Sequence, residues 1–139
     1  MRRLLPLAAL AVFTAAGQTP PPVLELLTRT ASALSEDDAS LFMKSFDAGM
    51  AGYRQLRTEA ESLLDQAYVS SSVEIRGDSG GDATRELEVD WYLEIKSKYK
   101  DGPSAQRRQI AHCRVTKRGD AWRITAFDPL SLFAPLIAP

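Results

Sequence analysis

Residues 86–96 read ELEVDWYLEIK, and an apolar side chain occupies every odd position of this stretch. An apolar residue at every second position predicts a β-strand that buries one face. Three further alternating runs accompany it, at 69–75, 111–115 and 122–126, whereas the apolar residues before 68 recur at helical spacing. Helices followed by an antiparallel meander predict an α+β domain, in which one curved four-stranded sheet packs on N-terminal helices.

The first half of the chain predicts three helices. Residues 23–34 carry apolar side chains at helical spacing after a run of prolines, which the first turn of a helix tolerates. A second helix follows a cap at 35–38 and carries Phe42 and Phe46 on its apolar side. Residues 53–67 predict a third amphipathic helix.

The last hairpin fixes the predicted register of the sheet. A two-residue loop at 119–120, with glycine in its first position, is typical of a tight hairpin. Such a loop pairs Val115 with Ile124 and Cys113 with Ala126, so that apolar residues lie opposite one another.

The same register decides which polar residues face away from the helices. It places His112 opposite Phe127, on the outer face that also carries Tyr92, Glu94 and Asp90. The inner face is then apolar throughout, and no acid or histidine of the sheet enters the interior.

The first residues predict an export signal. Two arginines precede an apolar run, and small residues follow it, so we expect a signal peptide at 1–17. A proline-rich spacer at 18–22 and a single domain at 23–135 complete the expected organisation. We therefore expect the protein to be exported and to be periplasmic or extracellular after cleavage.

Composition narrows the classes of partner. The formal net charge is −1, and loss of Arg2 and Arg3 with the signal would bring it to about −3. This balance argues against nucleic-acid binding, which needs a basic surface.

The chain holds one cysteine, Cys113, and one histidine, His112, so neither an intramolecular disulfide nor a multi-histidine metal site is expected. No motif indicates a cofactor, and no apolar run has the length of a transmembrane segment.

At this level the chain resembles the NTF2-like superfamily, the α+β fold of nuclear transport factor 2, ketosteroid isomerase and the polyketide cyclases. The resemblance covers residues 24–133 and is closest to small exported bacterial members without an assigned activity. The resemblance rests on three segments: the helix with Phe42, Phe46 and Met50, the strand segment EVDW at 88–91, and the hairpin GDAWRI at 119–124. It implies a cone-shaped space between sheet and helices.

The resemblance also implies where catalysis would occur. Enzymes of this superfamily use an Asp, Glu or His that projects into the cone, where burial raises the pKa of a carboxylic acid. The predicted inner face offers no such group, so Asp47, beside Phe46, is the remaining catalytic candidate. A solvated acid is the alternative interpretation of Asp47.

Five aromatic residues are candidates for an apolar ligand pocket in the interior: Phe42, Phe46, Tyr53, Trp91 and Trp122. Ordinary core packing is the alternative for all of them.

The outer sheet face carries an apolar group around the histidine. Tyr92, Ile110, His112 and Phe127 are predicted to lie together there, and a homodimer would bury them.

Two further segments have distinctive composition. The basic residues Lys96, Lys98, Lys100, Arg107 and Arg108 are predicted to surround one hairpin end, where they would either be solvated or meet an anionic polymer or lipid surface. The segment 130–135 is too apolar for a free end, and we expect it to dock across the cone as a lid or as part of an interface.

The sequence therefore favours an exported NTF2-like domain that is not an enzyme and that binds a small apolar ligand or a protein partner. A cofactor-free isomerase, dehydratase or cyclase that uses Asp47 is the first alternative. A structural dimer of the cell envelope is the second.

Overall fold

The computed structural model describes residues 19–137, so the predicted signal at 1–17 lies outside the described residues. Helices precede strands, and the predicted α+β class is confirmed. The elements, in chain order, are α1 (Pro21–Ser35), α2 (Ala39–Met43), α3 (Tyr53–Gln66), β1 (Ala67–Gly80), β2 (Thr84–Ser97), β3 (Ser104–Arg118), β4 (Ala121–Asp128) and a 3-10 helix (Leu130–Phe133).

The four strands form one antiparallel meander in the order β1-β2-β3-β4. Odd positions of β2, from Leu87 to Ile95, are buried against the helices, as their alternation predicts. Within the range 111–115 of β3, the odd positions are buried as well. One face of the sheet thus forms one side of the hydrophobic core. The apolar stripes of α1 and α3, which include Leu26 and Leu63, pack against it.

The second helix is shorter than predicted. It is capped by Asp38, whose side chain accepts a hydrogen bond from the backbone N–H of Leu41, and it ends at Met43 instead of continuing to Met50. Beyond it, the carbonyl of Ser45 accepts a hydrogen bond from the N–H of Ile124 at 2.8 Å. The N–H of Asp47 donates to the carbonyl of Ile124, also at 2.8 Å. Sheet-type hydrogen bonds to β4 therefore replace the helical ones, and Asp47 does not lie on a helix.

A β-bulge in β4 changes which residues face the core. Val115 pairs with Ile124 as predicted, but the register then shifts and Cys113 pairs with Phe127 instead of Ala126. His112 lies opposite Asp128. The extra residue turns the side chain of Phe127 into the core, so the prediction that Phe127 belongs to the outer face is wrong.

The first hairpin joins two strands of 14 residues each. The strand β1 continues through a second bulge between Ile75 and Gly77 and ends at Gly80, so the turn occupies residues 81–83. Gly77 pairs with Glu88 and therefore belongs to the strand, although the glycines at 77, 80 and 81 are typical of a turn.

Aromatic rings fill the middle of the interior. The rings of one cluster, with centroids 5.0–6.2 Å apart and mostly in edge-to-face geometry, are those of Phe42, Phe46, Trp91, Phe127 and Phe133. We call these residues the aromatic cluster. It joins α2, the sheet and the segment after β4 in one core.

The bulge makes a direct prediction about stability. Truncation of Phe127 to Ala removes a ring that is 7% exposed, and we expect it to lower the free energy of unfolding by about 3–5 kcal/mol. The matched outer-face change is Ile110→Ala, at a side chain that is 47% exposed, and should change it by no more than about 0.5 kcal/mol. Urea titrations of both variants measure the difference. A cost for Phe127→Ala as small as that for Ile110→Ala would contradict the inward orientation.

Candidate functional site

The segment 129–137, which we call the tail, closes one side of the interior. Its 3-10 helix buries Leu132 and Phe133 completely or nearly so. Farther along, the side-chain amide of Gln66 on α3 accepts a hydrogen bond from the N–H of Ile137 at 2.9 Å and donates one to its carbonyl at 2.8 Å. The expected docking of this segment across the cone is confirmed.

Arg107 of β3 fastens the tail from the sheet side. Its Nη1 donates to the carbonyls of Leu132 at 2.8 Å and Ala134 at 2.7 Å, and its Nη2 lies 3.4 Å from the carbonyl of Pro135. Arg107 pairs with the buried Leu93 and occupies an inner position of the sheet. The prediction that grouped Arg107 with a solvated basic hairpin end is therefore wrong for this residue.

The charges at this place act on one another. Burial under the tail lowers the pKa of Arg107, and the negative charge of Glu59 on α3 partly offsets that effect. One oxygen of the Glu59 carboxylate, Oε2, accepts a long hydrogen bond of 3.4 Å from the side-chain amide of Gln55. The other oxygen, Oε1, is buried and has no hydrogen-bond partner among the described residues. A buried acceptor without a donor is unfavourable, so this oxygen is available to a donor that enters the site.

A groove of about 490 Å³ opens between α3 and the tail. Its lining includes Gln55, Thr58, Glu59 and Ser62 from α3, and Ala134 and Pro135 from the tail. We call this groove, together with Arg107 and the tail that covers it, the mouth. The mouth is the candidate functional site because apolar surface lies there beside the unpaired Oε1 of Glu59 and the guanidinium of Arg107.

The five predicted pocket residues do not line one common pocket in the structure. Phe42, Phe46 and Trp91 are buried in the aromatic cluster. Trp122 is buried outside this cluster, at a groove that α1 also lines, and Tyr53 is partly buried at another groove beside α2. A ligand role for any of the five stays a prediction.

Sequence reasoning did not identify Arg107 and Glu59 as functional candidates. The alternation that placed odd positions inside already assigned Arg107 to the inner face, and an arginine at an inner position was the available signal. Glu59 carried no comparable signal, because it lies on the polar side of α3 by spacing.

Asp47, the predicted catalytic acid, lies elsewhere. Its Oδ1 is 3.4 Å from Nε of Arg118, and its Oδ2 accepts a hydrogen bond from the N–H of Gly49 at 3.0 Å. Neither partner lines the groove at the mouth. The structure therefore does not join Asp47 to the mouth.

The outer sheet face is organised by one acid. Asp90 is 7% exposed and accepts hydrogen bonds from Arg108 through both carboxylate oxygens and from Arg76 through one. The hydrogen bond from Arg108 is the main reason that the pKa of Asp90 lies below its usual value.

His112 lies on the face that carries Tyr92, as predicted, but its neighbour there is Glu88, with Nδ1 3.8 Å from Oε2. Ile110 is exposed on this face, whereas Phe127 is not part of it. A homodimer through this face stays a prediction, with Ile110 and Tyr92 as its apolar part.

No protein-family model and no curated protein matches the chain. Solved structures do match. A proposed scytalone dehydratase from Novosphingobium aromaticivorans superposes with a TM-score of 0.64 at 9% identity, over 88% of this chain and 85% of that one. A proposed dehydratase of the NTF2-like family from Streptomyces avermitilis gives 0.61 at 11% identity, over 76% and 91%. A cystatin-like protein of unknown function from Nostoc punctiforme gives 0.54 at 18% identity, over 78% and 90%.

At these identities the likeness shows the fold alone. The chain has an NTF2-like fold, and the resemblance found in the sequence is confirmed at that level. Between residues 19 and 137, no helix has both the length and the apolar character to cross a membrane. Over the same range, no group of His, Cys, Asp and Glu side chains is arranged to hold a metal ion.

Cys113 provides a test of the interior. It is buried on the inner face, and burial raises the pKa of its thiol to about 12. Since the thiolate is the reactive form, we expect native protein at pH 8 to resist alkylation by iodoacetamide, and unfolded protein to react fully. Mass spectrometry with and without urea measures this. Rapid labelling of the native protein would show that the thiol is accessible and would contradict the burial.

Proposed function

We propose that this chain is a non-catalytic binding domain that is exported and takes up a small apolar ligand at the mouth. The observation that carries the proposal is the chemistry of the interior. Among the described residues, the buried side chains on the helix side of the sheet are overwhelmingly apolar, and the buried acid Asp90 lies on the opposite face.

Catalysis of the isomerase or dehydratase type needs a group that accepts and returns a proton near neutral pH. Of the interior groups, the Cys113 thiol has a pKa of about 12 and stays protonated. Asp47 is engaged by Arg118 away from the mouth. This arrangement favours binding over proton transfer.

Export rests on the composition of residues 1–17, where a basic start precedes an apolar run and small residues. An exported domain without a disulfide depends on its core for stability. The aromatic cluster provides such a core and leaves the mouth as the place where a ligand enters.

A proton-transfer enzyme is the second candidate, and one observation favours it. The buried Oε1 of Glu59 lacks a donor and lies at the mouth, where it would accept a proton from a bound substrate. If the chain is an enzyme, Glu59 is a better candidate for the base than Asp47.

One neutral probe tests both candidates. The ketone 4-phenyl-2-butanone carries an aromatic ring and acidic C–H groups next to its carbonyl, which a base exchanges in D₂O. We expect saturable binding, measured by calorimetry and by the fluorescence of Trp91 in a Trp122→Phe background. At a hundredfold excess over Kd the ligand should stabilise the fold by about 2.7 kcal/mol.

We expect no acceleration of deuterium exchange in the same samples, followed by proton NMR. Exchange that is present in the wild type and lost in Glu59→Gln would establish the enzyme instead. Absence of binding at millimolar probe would overturn both candidates.

A further inference from the structure

We propose that the tail is an internal ligand, and that the site it fills binds a small carboxylate that carries an aromatic ring. This inference rests on the proposed function and specifies its ligand. Phe133 is 0% exposed, and its ring centroid lies 5.0 Å from that of Phe42 and 5.3 Å from those of Trp91 and Phe127. The ring of Phe133 thus occupies an aromatic-lined slot beneath the mouth.

Arg107 binds the backbone on both sides of that ring. A single nitrogen, Nη1, donates to the carbonyl before Phe133, at Leu132, and to the carbonyl after it, at Ala134. Arg107 lies on the inner side of the sheet, and among the described residues no carboxylate is within ion-pair distance of it. Neutral carbonyls are weaker acceptors for a guanidinium than a carboxylate, which accepts two parallel charge-assisted hydrogen bonds. A carboxylate is therefore the better partner for this side chain.

The covalent spacing of the tail defines the ligand. The carbonyl carbon of Leu132 is the fourth atom from the ring of Phe133, after Cβ, Cα and the backbone nitrogen. In 4-phenylbutyrate the carboxyl carbon is also the fourth atom from the ring. This compound can place its ring in the slot of Phe133 and its carboxylate on Arg107 at the same time.

The tail is not part of the hydrogen-bonded ladder of the sheet. Its own backbone hydrogen bonds are local, from Leu132 to Pro129 at 3.3 Å and from Ala134 to Ser131 at 3.1 Å. The other hydrogen bonds that hold it come from the side chains of Arg107 and Gln66. Displacement of the tail would break these hydrogen bonds and the ring contacts of Phe133, but it would break none of the hydrogen bonds that pair the four strands.

A ligand that needs an open mouth competes with the tail. The apparent Kd then equals the intrinsic Kd divided by the fraction of molecules in which the tail is displaced. Any change that loosens the tail without altering the slot should tighten the binding of every ligand by one common factor.

The test compares 4-phenylbutyrate with 4-phenyl-1-butanol, which has the same ring and chain but no charge. We expect calorimetry on the full chain to show the carboxylate binding on the order of tenfold more tightly, as a hydrogen bond to a charged group implies. Arg107→Met should abolish this preference while the alcohol still binds. Arg107→Lys, which keeps the charge but loses the planar fork, should retain part of it and serves if the Met variant does not fold.

The second arm loosens the tail at a distance from Arg107. Gln66→Ala removes the two hydrogen bonds to Ile137, and both probes should bind more tightly by the same factor. Gln106→Ala is the matched control, because Gln106 pairs with Glu94 at an outer position of the sheet, whereas the side-chain hydrogen bonds to the tail come from Gln66 and Arg107. It should leave both affinities unchanged.

The outcomes of these experiments test three claims separately: the carboxylate assignment, the tail as an internal ligand, and the proposed function. If the alcohol binds saturably and the carboxylate has no preference that depends on Arg107, the carboxylate assignment is wrong and the proposed function stands. If Gln66→Ala has no effect on either probe, the tail does not compete and is not an internal ligand. If neither probe binds any variant, the proposed function fails as well.

Discussion

The insertion of the Phe133 ring between Phe42, Trp91 and Phe127 is the contact on which the rest of the core depends. These residues come from the tail, α2, β2 and β4, so the ring joins the tail to one helix and to two strands of the sheet. Burial of a phenylalanine side chain contributes about 1.5–3 kcal/mol, and each aromatic pair adds about 0.5–1.5 kcal/mol. Without this ring the sheet and the helices would enclose an apolar space in contact with water. Ligand sites are commonly apolar clefts of this kind.

The alternation of β2 was enough to predict the fold class, the meander and the inner face of two strands. It could not predict the bulge in β4, because counting by twos assumes that no residue is inserted. The structure nevertheless shows a physical reason for the bulge. Under a regular register Ala126 would face the core and Phe127 the solvent, whereas the inserted residue buries the larger apolar side chain. Tertiary packing selected this register over the regular one.

The candidate site was less predictable than the fold for two physical reasons. The sequence pattern placed Asp47 on a helix that faces the cone, but hydrogen bonds of residues 45–47 to Ile124 end that helix early. Arg107 was grouped with other basic residues by sequence proximity, although strand parity places it inside. Side-chain direction follows from the register of the element and not from the charge of its neighbours, and at Arg107 the two criteria disagree.

A core that is completed by its own tail constrains what can bind there. Exchange of the Phe133 ring for the ring of a ligand leaves nearly the same apolar area buried, so the hydrophobic effect contributes little net driving force. Loss of the buried Leu132 side chain from the mouth opposes the exchange. The remaining gain lies at Arg107, where neutral carbonyls would give way to a charged acceptor. Apolar ligands without an acidic group therefore gain little free energy by displacing the tail, and selectivity must come from the polar end of the ligand.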